Sequence, residues 1–165
     1  MNIKMSKREY ECVESVRSLS SGGWPARVKD IATMMKVRPP TALGFLDRLV
    51  EMSLIEKGPI GYRLSQYGVA YINQVTRAHR LFETLLSNAG IPLDEACRAS
   101  SSIAIEGDID DEAIKTLSGN LGHPGICPHG NPIPADDMGD ERAPPPGVTG
   151  PRRPSHKAAG SKDGI

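Results

Sequence analysis

The sequence predicts a mainly α-helical protein with one short β-hairpin near its middle. Three observations carry that expectation. Apolar residues recur at three- and four-residue spacing through most of residues 6–121, the period of helices that bury one face. Two short extended runs, 54–57 and 62–64, flank Gly58-Pro59-Ile60-Gly61, the composition of a hairpin turn. From residue 135 the chain reads ADDMGDERAPPPGVTGPRRPSHKAAGSKDGI, rich in proline, glycine and charge. Such a stretch cannot bury enough apolar surface to offset its ordering entropy, so 135–165 is expected to be a disordered tail.

Each element has its own local signal. Ser6 with Glu9 three residues on is a capping box, and Tyr10, Val13, Val16 and Leu19 follow at helical spacing. Cys12 falls on the apolar side of that helix and is expected in the core. Gly22-Gly23 stops it. A second helix fits 28–35, with Val28, Ile31, Ala32 and Met35 on one face. Pro39-Pro40 can open a third, because proline is tolerated in a first turn, and Ala42, Phe45, Leu46 and Leu49 form its stripe. A short helix, a tight turn and a second helix followed by a hairpin is a winged helix-turn-helix. A longer helix is expected over 66–87, carrying Val69, Ile72, Val75, Phe82 and Leu86. Two more are expected near 94–105 and 110–121, and GHPGICPHGNPIP is a loop. The expected units are 1–75, 76–134 and the tail.

The formal charge is zero, but it is unevenly spread. Residues 1–75 hold 11 Lys/Arg against 7 Asp/Glu, and residues 76–134 hold 4 against 8. A basic front and an acidic middle suit a DNA-reading half joined to a cation-binding half. No apolar run approaches the roughly 20 residues that span a bilayer, and the N-terminus has no apolar signal core, so a cytoplasmic protein with no membrane partner is expected. Three scattered cysteines are not a secreted disulfide framework. HExxH, P-loop and GxSxG patterns are missing, so an enzyme is not expected.

If the third helix enters a major groove, its first residues meet base edges. Those are Arg38, Pro39, Pro40 and Thr41. Lys29, Lys36, Arg48, Lys57 and Arg63 are candidates for phosphate contacts, the last two on the wing. A protein-docking winged helix is the rival use of the same fold.

Residues 5–134 resemble the diphtheria-toxin-repressor family of metal-responsive regulators. The resemblance rests on Leu54-Ile55 entering the wing, Leu64-Ser65-Gln66-Tyr67-Gly68 opening the long helix, His79-Arg80-Leu81-Phe82-Glu83 within it, and the closing PHGNPIP. It implies a homodimer that binds a palindromic double-stranded operator when Fe(II) or Mn(II) is bound, and it makes 76–134 a metal-binding and dimerisation unit. The third, SH3-like domain of many members is not expected here, since the tail does not read as strands, and the resemblance is to the shorter two-domain type, similar to the manganese-transport regulators.

The resemblance also implies a ligand set. Glu11 and Glu14 share a helix face and match two carboxylate ligands, while His79 and Glu83 match two more positions. Glu106 matches the glutamate of a Glu-His pair. The sequence then departs from the pattern, with Gly107 in place of the histidine and Ile103 in place of the ligand three residues earlier. Carboxylates with one imidazole favour Mn(II) or Fe(II). A solvated glutamate face and a structural His79–Glu83 hydrogen bond remain the plainer reading. Cys97, His123, Cys127 and His129 form a second constellation, suited to a soft metal, a redox pair or part of an iron–sulfur cluster. Its plainer reading is a PHG turn with His129 bonded to its own loop. A regulator that has lost the usual metal site, and is redox-responsive or constitutive, is the alternative.

Overall fold

The computed structural model describes residues 5–107 and 110–135. The expected tail lies almost wholly outside the described residues. The elements run α1 (Lys7–Ser20), α2 (Val28–Met34), α3 (Pro39–Glu51), β1 (Ile55–Gly58), β2 (Gly61–Leu64), α4 (Gln66–Asn88), α5 (Leu93–Glu106) and α6 (Asp111–Asn120). The chain is mainly helical, as its periodicity predicts.

Local chemistry sets the helix ends. The Ser6 hydroxyl accepts from the Glu9 amide at 3.3 Å, and the Glu9 carboxylate accepts from the Ser6 amide at 2.7 Å. Lys36 closes α2 in the left-handed region, at φ 55, and the Val37 amide reaches back to the Ala32 carbonyl at 3.0 Å. Arg38 caps α3, with Pro39 and Pro40 in its first turn. β1 and β2 pair antiparallel, Ile55 opposite Leu64, and Ala26 adds a bridge to Tyr62 at the wing's edge.

Two buried clusters organise the molecule. The larger joins α1–α3 and the wing to the first half of α4, through Val13, Val16, Ile31, Leu46, Leu49, Leu54 and Ile72 among others. Cys12 belongs to it and is fully buried, with its thiol pushed up to about 12, chiefly by burial. The smaller joins Ala78 and Leu81 of α4 to Ile114, Cys127 and Ile133. The helix α4 therefore runs through both.

Ser65 and Gly68 fasten α4 to the wing. The Ser65 hydroxyl accepts from the Gly68 amide at 2.8 Å and donates to the Ser53 carbonyl at 2.6 Å. A Cβ on Gly68 would sit 1.9 Å from the Leu54 carbonyl oxygen. This contact also corrects one expectation. Val69, read as part of the buried stripe, is 46% exposed, because Gly68 takes the inward position and the stripe continues through Tyr71 and Ile72. Gly68→Ala is expected to lower unfolding stability by about 3 kcal/mol, read as a lower denaturation midpoint at unchanged slope. An unchanged midpoint would contradict the packing described.

Candidate metal centre and nucleic-acid face

The helical repeat puts His79 and Glu83 on one face of α4, four residues apart. His79 Nε2 lies 3.5 Å from Glu83 Oε2 and 3.9 Å from Cys97 Sγ on α5. The other ring nitrogen, Nδ1, lies 3.4 Å from the Ser101 hydroxyl, one turn beyond Cys97. The second carboxylate oxygen of Glu83 meets His129 Nδ1. Glu83 is only 1% exposed, and its charged partners among the described residues are these two imidazoles.

The loop after α6 delivers Cys127 and His129 from opposite ends of one turn. The Gly130 amide donates to the Cys127 carbonyl at 2.8 Å, and Gly130 takes φ 79, which glycine adopts without penalty. The Cys127 amide then donates to the Asn131 carbonyl at 2.9 Å. Arginines of α4 hold the loop down: Arg77 donates to the Pro134 carbonyl at 2.6 Å, and Arg80 to that of Pro132.

Two ligand-type triads result, His79–Glu83–Cys97 and Glu83–Cys127–His129, each with donor atoms within 4.8 Å of one another. They share Glu83. The sequence reading keeps these residues in two constellations, and the structure merges them. It also turns His129 to Glu83 rather than to its own loop. His123 stays outside, against the Ser118 hydroxyl at 3.3 Å.

The remaining expected ligands divide. Glu14 lines the same cavity of about 410 Å³ as His79, Glu83, Cys97 and His129, held by the Tyr10 hydroxyl at 3.3 Å. Glu11 is drawn aside by Arg8 at 2.9 Å and does not line it. Glu106 ends α5, exposed and away from the cavity. The reason is axial: nine residues of helix separate it from Cys97, roughly 13 Å of rise. Cys97, with Ser101 one turn on, is the part of α5 that faces His79, rather than Ile103 or Gly107.

The donor set fits a transition metal. It offers two imidazole nitrogens, two thiols and a carboxylate, and a buried carboxylate without a lysine or arginine partner is one that a cation would stabilise. Burial holds the His79 pKa below its ordinary value, against the opposing pull of Glu83, so its ring is neutral and able to ligate near pH 7. Burial, with Glu83 and Cys127 adding, pushes the Cys97 thiol up.

On the reading head, Lys29 in the first turn of α2 and Lys36, Arg38, Pro39, Pro40 and Thr41 around the start of α3 are all exposed. Arg27, absent from the sequence-based candidates, joins them as the exposed cap of α2. Arg48 is redirected: its guanidinium pairs with buried Glu9 at 2.7 Å. Arg63 pairs with Glu56 across the wing at 2.8 Å, and Lys57 lies over the Tyr62 ring, 5.9 Å from its centre. Among the described residues no helix is long and apolar enough to cross a membrane.

A winged helix-turn-helix joined to a buried cluster of metal-type donors defines a metal-dependent DNA-binding regulator rather than an enzyme. The metal-binding and dimerisation domain of iron-dependent repressors matches residues 65–135. An HTH-type transcriptional regulator of Aeropyrum pernix is 35% identical over 124 residues, covering 74% of this chain and 68% of that one. The hypothetical protein SSo2273 of Sulfolobus solfataricus superposes with a TM-score of 0.73 at 32% identity, over 79% of this chain and all of that one. The manganese regulator SloR does so at 0.62 and 27%, over 82% of this chain and 61% of SloR. The T. acidophilum IdeR does so at 0.57 and 27%, over 86% and 65%. The chain therefore spans less than two thirds of the length of SloR and IdeR. It belongs to the diphtheria-toxin-repressor family of metal-dependent transcriptional regulators.

Because the Cys97 thiol is held protonated, an ion that takes it as thiolate must displace its proton. Zn(II) titrated into weakly buffered protein at pH 7 is expected to release protons, with about one fewer per ion from Cys97→Ser. Equal release from both proteins would remove Cys97 from the ligand set.

Proposed function

We propose that the chain is a homodimeric repressor that binds a palindromic operator when a transition metal occupies the site around Glu83. The observation that carries this reading is the convergence of His79, Glu83, Cys97, Cys127 and His129 from α4, α5 and the final loop. Two thiols among five donors change the metal expected from carboxylates alone. Thiolates and imidazoles suit Fe(II) and Zn(II) better than Mn(II), so we propose Fe(II), with Zn(II) as a strong competitor. The bound ion supplies positive charge at Glu83 and ties three elements together. Around it, Ser101 orients the His79 ring, and Glu14 across the cavity offers α1 a carboxylate with which to follow the ion.

A regulator without a metal site draws its motive from Gly107 and Ile103. That motive weakens, because Cys97 on α5 faces His79 in their place. Leu85 and Ile126, exposed within the dimerisation domain, offer apolar surface for a second copy. Two copies place their recognition helices in successive major grooves, about 34 Å or a multiple apart.

An operator selected from random duplexes, followed by fluorescence anisotropy, tests the reading. Fe(II) under anaerobic conditions or Zn(II) is expected to tighten binding by roughly 5- to 150-fold, reversibly with chelator. His79→Ala and Cys127→Ser should remove that gain. Binding should also fall steeply between 50 and 200 mM salt, by counterion release (roughly 10³-fold or more for six phosphate contacts). Equal affinity with and without metal would refute the switch, and salt-independent affinity would refute DNA as the ligand.

A further inference from the structure

The chain's one tryptophan stands on the surface of the reading head. Trp24 is 76% exposed, although tryptophan side chains are mostly covered in folded proteins. A single exposed apolar residue asks for no explanation, but Trp24 has company. With Leu19 near the end of α1, Pro25, and Ile60 at the wing tip, itself 60% exposed, it lines a groove of about 310 Å³. Arg27 and Asp30 border it, and none of the metal-site donors does. The fold holds this groove open-faced. The Ala26 amide donates to the Tyr62 carbonyl at 2.7 Å, and the Tyr62 amide donates to the Ala26 carbonyl at 2.8 Å, so the chain just after Trp24 is anchored to the wing.

The sequence supplies an occupant. Proline-rich segments settle in aromatic-lined grooves, where their rings pack flat on an indole and no proline amide hydrogen is stranded by burial. Residues 143–147 read Ala-Pro-Pro-Pro-Gly, and Asp136, Asp137, Asp140 and Glu141 precede them. This segment lies within reach. Arg17 lines the metal cavity together with Asn131, four residues before Ala135, and Leu19, two residues on from Arg17, lines the groove. Nine residues lead from Ala135 to Pro144, an extended span of up to about 30 Å. The charges agree as well. Arg17 and Arg27, both exposed, stand on the way from the cavity to the groove, and the four carboxylates of 136–141 complement them.

We propose that Pro144, Pro145 and Pro146 dock on Trp24, Pro25 and Ile60 of the same chain, with the acidic run before them drawn along Arg17 and Arg27. The occupant of the groove is the chain's own proline segment, not a second copy or a separate protein. Docking covers Trp24 and shields Arg27, one of the exposed cations of the reading head. Neither the metal nor DNA takes part in this contact.

Trp24, as the sole tryptophan, is its own probe. Its fluorescence is followed in the full chain and in the full-length triple variant Pro144→Ser, Pro145→Ser, Pro146→Ser. Wild-type emission is expected to lie to the blue and to be protected from acrylamide. The triple variant should shift to the red and lose that protection while melting with the wild type. Ile60→Ser, at an exposed position of the wing tip, should lose it as well. Wild-type protection should also fall in about 1 M salt, where charges are screened beyond roughly 3 Å. Mixing the triple variant with Trp24→Phe puts the intact proline segment and the tryptophan on different chains, and protection should stay lost. Equal emission and quenching in wild type and triple variant would leave the groove to some other partner and overturn the proposal. Protection that survives Ile60→Ser or the salt overturns it too. Protection restored in the mixture assigns the groove to a second copy and overturns it equally.

Discussion

The carboxylate of Glu83 is the constraint on which the second half of this molecule turns. It is buried at the centre of the C-terminal cluster, with an imidazole on each oxygen and a thiol beside each imidazole. Burying a negative charge is costly unless a cation or several hydrogen bonds compensate. The two imidazoles compensate in part. A divalent ion would do so fully and would draw α5 and the Cys127–Gly130 turn onto α4. The arginines of α4 that hold Pro132 and Pro134 keep that turn within reach before any ion arrives.

Helices α1 and α4 both connect this site to the reading head. Glu14 faces the cavity from α1, and one turn earlier Glu9 holds Arg48 of α3. From the other side α4 itself is fastened to the wing by Ser65 and by the close approach of Gly68 to Leu54. An ion that engages both α4 and α1 therefore acts on the two supports of the recognition helix. Small shifts at packed elements of this kind select between discrete arrangements, because close-packed interiors do not deform smoothly.

Most of the fold was legible in the sequence, because the signals that set it are local. The Ser6–Glu9 box, the paired prolines of α3, the Gly/Pro-rich hairpin turn and the helical apolar stripes each determine a few residues of backbone, and α1 to α6 follow from them. The metal-type cluster was only half legible. His79 and Glu83 announce themselves at helical spacing, but Cys97, Cys127 and His129 join them through tertiary packing, across 18 to 50 residues of chain. Spacing from Glu106 pointed the wrong way, since nine helical residues set Cys97 and Glu106 at different heights on α5. The commitments of Arg48 to Glu9 and of Glu11 to Arg8 were invisible for a different reason. A charged side chain has several partners within reach, and the sequence does not rank them.

The central claim is that two thiols and two imidazoles surround one carboxylate as a metal site. X-ray absorption at the edge of the Fe(II)- or Zn(II)-loaded chain tests it most directly. For Zn(II), the account predicts a mixed first shell, with sulfur near 2.3 Å beside nitrogen and oxygen at about 2.0–2.1 Å, and a smaller sulfur contribution in Cys127→Ser. A first shell of nitrogen and oxygen alone would contradict it.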